Sequence, residues 1–572
     1  MAAPVQTDIF RRTSPSSTMR RSAAGLAGIL FSGFALVAVE PDLAAPVSAS
    51  KLTNAESARR KLGLYGSYPS VPTIGRVKVA ILDSGFDRID GKRPYLPKSA
   101  VLVEHYDRAF IEKFKLGEPD FQKPFVPGES HGRLMAQIVW AATGGSAFGP
   151  QFYLLNANGP TLFRRAVRYA IEQKVDVILF SGTFEGAGNF DGRGPIDAAV
   201  DDAVAAGIIW VNAAGNSGGM VHNGPVRVDG EGYLKLRAGT DPTALRFANR
   251  LDENAVTITL TWNDYKDAED AGTDKDLDLL VEDWLGRPIG ESKLKQLPAG
   301  AVAGVGETKN PRERLVLADL PAKPAGEEYH IRVKSKSANF GPLDRIRILV
   351  SSARTASITD PDTGKTLVPV EFLDASKSGE IYPPADHAGV LAVGDSSLQS
   401  AVGPTVDGRL KPDVILGDSV ARFSNGDESI GSSNAAAYFA GVVAVLRATE
   451  PSLTTGHLRD WVRQLDRKKT PVGARVHLAE DRNIEPVPLS PNQERAMRYA
   501  SIALEEKRRR GEANPEVIVS NPGGTVVLRS SGVEPAIRQV GARTDPAPKD
   551  AVLHAPWVTP TPRELATLIR GR

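Results

Sequence analysis

Gly431-Ser432-Ser433-Asn434-Ala435-Ala436-Ala437-Tyr438-Phe439-Ala440-Gly441 decides how this chain is read. A Gly-Ser-Ser turn runs into small residues and on into Val442-Val443-Ala444-Val445-Leu446, a strong helix former with nothing bulky near its start. That pattern sets Ser433 at the N-terminus of a buried helix. Unpaired backbone N–H groups and the positive end of the helix dipole favour an oxyanion there. A nucleophile so placed attacks a carbonyl and has the resulting negative charge stabilised beside it. A serine before a helix is more commonly a plain N-cap, so Ser433 alone decides nothing.

Working outward, the chain alternates strand and helix. A β-branched run over 77–82 predicts a strand that ends in Asp83-Ser84-Gly85. An acid at the carboxyl end of a strand is where open α/β sheets place functional groups, although Asp-Ser-Gly is also a common turn. After an irregular, Pro-rich stretch, His131-Gly132 opens a helix to about 140 with apolar residues at 134, 135, 138 and 139. Strands follow at 152–155, 175–180 and 208–213, and helices at 162–172 and 196–205. This alternation predicts an α/β fold, a parallel sheet with helices on both faces. The last strand leads into Ala213-Ala214-Gly215-Asn216-Ser217-Gly218, where flanking glycines let the backbone turn tightly and present the Asn216 amide.

Between about 226 and 373 the pattern changes to short alternating strands. The clearest is 256–262, with others at 277–281, 315–317, 329–333 and 346–350. That is the signature of an all-β sandwich inserted into the α/β domain. The α/β grammar returns at 390–394 and runs through Lys411-Pro412-Asp413-Val414 to the Ser433 helix, followed by an amphipathic helix at 454–464. Beyond about 467 the chain is Pro-rich and charged. It is read as one helix over 491–510 and an otherwise weakly ordered tail.

The chain has 572 residues, a formal net charge of +2 and no cysteine. The near-neutral charge argues against nucleic acid as a partner, and the missing cysteines exclude disulfides and thiol chemistry. Arg20 and Arg21 precede an apolar run over 23–39 and then Leu43-Ala44-Ala45-Pro46-Val47-Ser48-Ala49-Ser50. These are the three parts of an export signal, with cleavage after Ala45 or Ala49. The run is interrupted by Gly and Ser and is short for a membrane anchor, so an exported protein without a stable anchor is expected. The expected layout is a signal over 1–49, a linker over 50–74, and a catalytic domain over 75–222 and 376–466. That domain is split by the sandwich at 223–375 and followed by the tail at 467–572.

Asp83, His131 and Ser433 stand in the chain order of the subtilisin triad. Asp83-Ser84-Gly85, His131-Gly132, Ala213–Gly218 and Gly431-Ser432-Ser433-Asn434-Ala435-Ala436 resemble the aspartate, histidine, oxyanion-hole and serine motifs of the subtilisin-like serine peptidases, the subtilases. Lys411-Pro412-Asp413-Val414 resembles the segment that precedes the serine motif. The resemblance covers about 75–222 and 385–465. It implies a serine endopeptidase acting on proteins or peptides, with Asp83, His131 and Ser433 catalytic and Asn216 the oxyanion donor. Ser181 and Gly182 then correspond to the segment that pairs with substrate backbone, although Ser-Gly-Thr replaces the usual Ser-Leu-Gly. No cofactor is required for such chemistry.

Several residues depart from the family pattern. Asn434 replaces the usual Met, Ala437 the usual Pro, and Tyr438-Phe439 the common His-Val. No room lies between the signal and Val77 for the usual folding propeptide. Thr261-Trp262-Asn263-Asp264 and Asp276-Leu277-Asp278-Leu279 resemble a β-sandwich domain found C-terminal to the catalytic domain in some subtilases. The acid-dense stretch holding Asp264, Asp276 and Asp278 suits structural calcium, or is a solvated loop. Two other readings stay open: an inactive binding or scaffolding module on the same fold, and a sandwich that binds a surface or glycan.

Overall fold

Runs of aliphatic and β-branched residues too short for helices build the central sheet. Its strands are β1 (Lys78–Asp83), β2 (Val101–Val103), β3 (Gln151–Asn156), β4 (Val177–Phe180), β5 (Ile209–Ala213), β6 (Val390–Asp395) and β7 (Val414–Leu416). They lie in the order β2-β3-β1-β4-β5-β6-β7, every neighbouring pair parallel. The computed structural model describes residues 74–468, apart from short internal segments of which 87–95 is the longest, and three strands between 516 and 540. The expected export signal and the helix read at 491–510 lie outside the described residues.

Among the described residues six α-helices accompany the sheet: α1 (Arg108–Phe114), α2 (His131–Ala142), α3 (Pro160–Glu172), α4 (Pro195–Ala205), α5 (Ser432–Thr449) and α6 (Thr455–Lys468). Both faces of the sheet are buried, which explains strands that read as continuous apolar runs. Val79, Ile81, Leu179 and Val211 share one core with α2, α5 and α6. Ala80, Leu82, Phe180 and Trp210 share the other with α3 and α4. In α5, every residue from Ser432 to Leu446 is buried. It meets α2 at a close crossing, where a Cβ built on Gly441 would lie 2.5 Å from the Ala142 Cβ.

The segment read as irregular before His131 contains β2 and α1. β2 pairs with β3 some fifty residues on, while α1 has one local support and its following loop a distant one. Asp107 caps α1 by accepting from Ala109 N at 2.8 Å, and the buried guanidinium of Arg165 on α3 donates to the carbonyls of Leu116, Glu118 and Phe121. A partner some fifty residues away leaves no mark on local composition.

Residues 221–372 form two antiparallel sheets. One has the order Pro288–Ser292, Leu277–Glu282, Tyr329–Ser335, Leu245–Asn249, Val370–Phe372. The other has Arg312–Leu320, Asn254–Trp262, Arg345–Ser352, Val221–Pro225. Alternate residues of both, among them Val256, Ile258, Leu260, Leu279, Val281 and Ile331, bury into one shared core. The chain then returns through Lys411-Pro412-Asp413. The Lys411 ammonium donates to Val390 O at 2.7 Å and to Asp413 Oδ2 at 2.8 Å, while Arg459 of α6 reaches Asp413 Oδ1 at 3.0 Å. That motif staples β6, β7 and α6 together.

The weakly ordered tail needs a correction. Glu516–Asn521, Gly524–Ser530 and Pro535–Val540 form a three-stranded antiparallel sheet. Val517-Ile518-Val519 and Val526-Val527-Leu528 carry the β signal, and Asn521-Pro522-Gly523 the turn. The surrounding proline and charge masked both.

Candidate active site

The aspartate and histidine motifs lock into each other. Asp83 ends β1, and its Oδ1 accepts the N–H groups of Ser84 at 2.8 Å and Gly85 at 3.2 Å. The other oxygen, Oδ2, meets His131 Nδ1 at 2.7 Å. Gly132 donates its N–H to Gly85 O at 2.9 Å, and any Cβ on it would come within 2.6 Å of the Asp83 Cβ. The glycine of His131-Gly132 is therefore what lets α2 start against the β1 turn. Asp83 is 4% exposed and His131 9%. Burial pulls the imidazole down, but the charge and hydrogen bond of Asp83 and the charge of Glu129 outweigh it, so His131 titrates above its ordinary range. With Nδ1 bonded to a carboxylate, Nε2 is the basic nitrogen.

The serine motif is organised as densely. Gly431, at φ 133°, caps α5 and donates to Ser419 Oγ at 3.3 Å, which in turn donates to Asp395 Oδ2 at 3.0 Å. Ser433 occupies the second helical position and is 2% exposed. Its Oγ donates to the carbonyl oxygen of Ser181 at 3.0 Å. Ser432 faces the other way. Its N–H and hydroxyl reach Asn216 Oδ1 at 3.1 and 3.0 Å, and its hydroxyl accepts from Gly215 N at 3.2 Å. Asn434 is fully buried, with Nδ2 donating to Ser419 O at 2.9 Å and Ser429 O at 2.7 Å and Oδ1 accepting from Ser429 Oγ at 3.2 Å. A polar residue in a packed place is thus matched at both ends of its amide.

Ser181 and Gly182 leave the carboxyl end of β4, which lies inside the sheet between β1 and β5. Gly182 O accepts from Asn212 Nδ2 at 3.0 Å, tying this segment to β5. Just beyond, Glu185 is partly exposed but its Oε1 is buried, and no hydrogen-bond partner reaches that oxygen among the described residues. Burial, opposed by the charge of Arg314, pushes it up to about 8. The loop that follows is held by the segment after Trp262. Tyr265 and Asn189 exchange two bonds of 2.7 Å, Tyr265 OH donates to Gly186 O, and Asp267 Oδ1 accepts from Gly194 N at 3.0 Å.

The acids considered for calcium are differently engaged. Asp264 accepts from Thr273 Oγ1 at 2.6 Å and pairs with Lys266 at 2.9 Å and Lys275 at 3.6 Å. Asp278 faces Lys336 at 3.7 Å, and Asp276 accompanies it, pushed up by burial and by the Asp278 charge. Among the described residues no three acid or His side chains converge as a metal ion needs. Asp267 caps a helix instead. The residues that sequence reasoning missed are Ser432, Glu129 and Glu185. Ser432 and Glu129 stand next to recognised motifs but owe their significance to distant partners.

Residues 75–273 match the model of the subtilase family, peptidase S8. This is a subtilase domain. The match spans Asp83, His131 and Asn216 and ends before Ser433, which opens α5 after the two antiparallel sheets. The matched stretch supports a serine-type peptidase. Similar solved structures include the CspB protease of Clostridium perfringens, at 16% identity and TM-score 0.44, covering 78% of this chain and 96% of that one. The prenylagaramide maturation protease PagA is 12% identical with TM-score 0.29, covering 72% of this chain and 85% of its own. A comparison with curated proteins finds no match. No helix among the described residues is long and apolar enough to cross a membrane.

Proposed function

We propose that this subtilase is an exported endopeptidase that cuts peptide bonds through Asp83, His131 and Ser433, with Asn216 as oxyanion donor. The observation that carries the reading is the buried 2.7 Å bond between Asp83 Oδ2 and His131 Nδ1. A carboxylate spent on an imidazole in low dielectric holds the ring in one tautomer and stabilises its protonated form. Ser433 Oγ attacks the scissile carbonyl while His131 Nε2 takes its proton. The carbonyl oxygen becomes an oxyanion, met by Asn216 Nδ2 and the Ser433 N–H. Collapse of the intermediate expels the amine, which receives the proton from His131. Water then repeats the sequence on the acyl-enzyme and frees Ser433.

In the resting arrangement Ser433 Oγ donates to Ser181 O. A substrate backbone N–H competing for that carbonyl releases the hydroxyl to turn toward His131, so binding itself completes the catalytic geometry. That same bond favours the second reading, a binding module whose serine stays engaged. Export rests on the basic, apolar and small-residue succession over 20–50.

Fluorophosphonate labelling of the purified mature protein separates the readings, with Ser433→Ala as control. Labelling that disappears in the variant, accompanied by casein turnover, is the expected result. Folded protein that stays unlabelled overturns the endopeptidase reading in favour of the binding module.

A further inference from the structure

We propose that Glu129 is a positioning residue for His131, clamping the imidazole-bearing end of α2 onto the β1 turn and setting a second carboxylate beside the base. This rests on the peptidase reading given above and assigns the site one more member.

Two contacts place it. Glu129 Oε1 accepts the backbone N–H of His131 at 2.8 Å, so the carboxylate holds the very residue whose ring must be aimed. Its stem lies across Gly85, where a Cβ would sit 2.1 Å from Glu129 Cγ, 2.4 Å from its Cβ and 2.6 Å from its carbonyl oxygen. Gly85 thus makes room for Glu129 one residue after the Asp83 turn begins. The loop carrying it is tied to the same turn, since Val126 N donates to Ser84 O at 2.9 Å and Glu129 N to Val126 O at 3.1 Å. Turn, loop and helix start form one rigid corner.

The electrostatics follow from that corner. The charged groups bearing on His131 are Asp83 from β1 and Glu129 from the loop, both acids. Those bearing on Glu129 are His131 and Asp83. Burial raises the Glu129 carboxyl above its usual range and the Asp83 charge adds to this, while the N–H groups of His131 and Ser130 and the His131 charge oppose. Protonating His131 during the reaction therefore relieves repulsion between two carboxylates, which favours the imidazolium. Asp83 fixes the tautomer; Glu129 fixes the backbone and adds charge.

The test uses the full chain with ¹³C-labelled histidine. The His131 midpoint is followed by NMR in the wild type, Glu129→Gln, Glu129→Asp and, for assignment, His131→Ala, alongside the pH profile of fluorophosphonate labelling. Glu129→Gln keeps the size and an acceptor oxygen but not the charge. It should lower the His131 midpoint by roughly half a unit to one unit and move the acid limb of labelling the same way. Glu129→Asp keeps the charge on a shorter arm, so it should retain most of the midpoint and lose labelling rate. Unchanged midpoint and profile in folded Glu129→Gln, with wild-type labelling intact, overturns the role of Glu129 alone. A folded wild type that labels at no pH overturns the peptidase reading itself, whatever the midpoints do.

Discussion

The hydroxyl of Ser432 donates to the side-chain oxygen of Asn216 at 3.0 Å, and the backbone N–H of the same serine meets that oxygen at 3.1 Å. Two donors on one oxygen decide which way the amide faces, because its NH2 must then point elsewhere. The Gly215 N–H, 3.2 Å from the same hydroxyl, closes the ring of contacts. On the proposed reading, the residue next to the nucleophile is what aims the oxyanion donor.

Asn216→Ala should therefore cost roughly 10²–10³ in kcat, the scale set by the handling of the equivalent donor in subtilisin. Ser432→Ala removes one of the two donors that aim the amide and keeps the backbone N–H, so a smaller loss of about tenfold is expected with KM nearly unchanged. Steady-state kinetics on a peptide amide distinguishes them. Equal kcat in Ser432→Ala and wild type would mean that Asn216 is held by something else.

Asp83→Asn should lower kcat by about 10⁴ through the wrong imidazole tautomer. It also has a signed pH consequence. His131 must be neutral to act as base, so kcat/KM falls as pH drops through its pKa, which lies above the ordinary range. Removing the Asp83 charge leaves burial, which pulls the pKa down, opposed by the smaller effect of Glu129. The acid limb of the residual activity should then move to lower pH, and a limb that stays in place would contradict the account.

Asn434→Met installs the usual family residue, yet here it should destabilise. It strips partners from the buried carbonyls of Ser419 and Ser429 and from the Ser429 hydroxyl. At about 1–3 kcal/mol for each group left unsatisfied, a loss of at least about 3 kcal/mol is expected. Chemical denaturation with an unchanged m value measures it.

Gly441→Ala brings a methyl to the helix crossing where the Ala142 Cβ stands 2.5 Å away. Overpacking of this kind costs about 1–3 kcal/mol. Because α2 carries His131 and α5 carries Ser433, the same shift should depress kcat. The double variant Gly441→Ala with Ala142→Gly moves the methyl to the other helix and should recover most of both losses.

The sequence was most legible where structure is local. Continuous apolar runs marked β1, β3, β4, β5 and β6, and Ala-rich and amphipathic segments marked α2 to α6, to within a few residues. β2 and α1 escaped because both are short, β2 being held by β3 some fifty residues on and the loop after α1 by Arg165 of a distant helix. The acid-dense stretch was legible as charge but not as pairing, since which acid its own Lys266 and Lys275 meet, and the approach of Gly194, are decided by the fold.

By itself the sequence determined the order of elements and the chemistry each turn can offer. Asp83 after an apolar strand, His131 before a helix and Ser433 in a Gly-Ser-Ser start are set by neighbours within a few positions. Backbone propensity and side-chain periodicity act over that range. Tertiary structure decided how those groups are aimed. It put Glu129 across Gly85, Ser432 on Asn216 and Ser433 against Ser181, pairings that span from a few dozen to over two hundred residues. Hydrogen bonds and buried charges depend on distances of a few ångströms, and only the packing of α2 and α5 on one face of the sheet brings these elements that close.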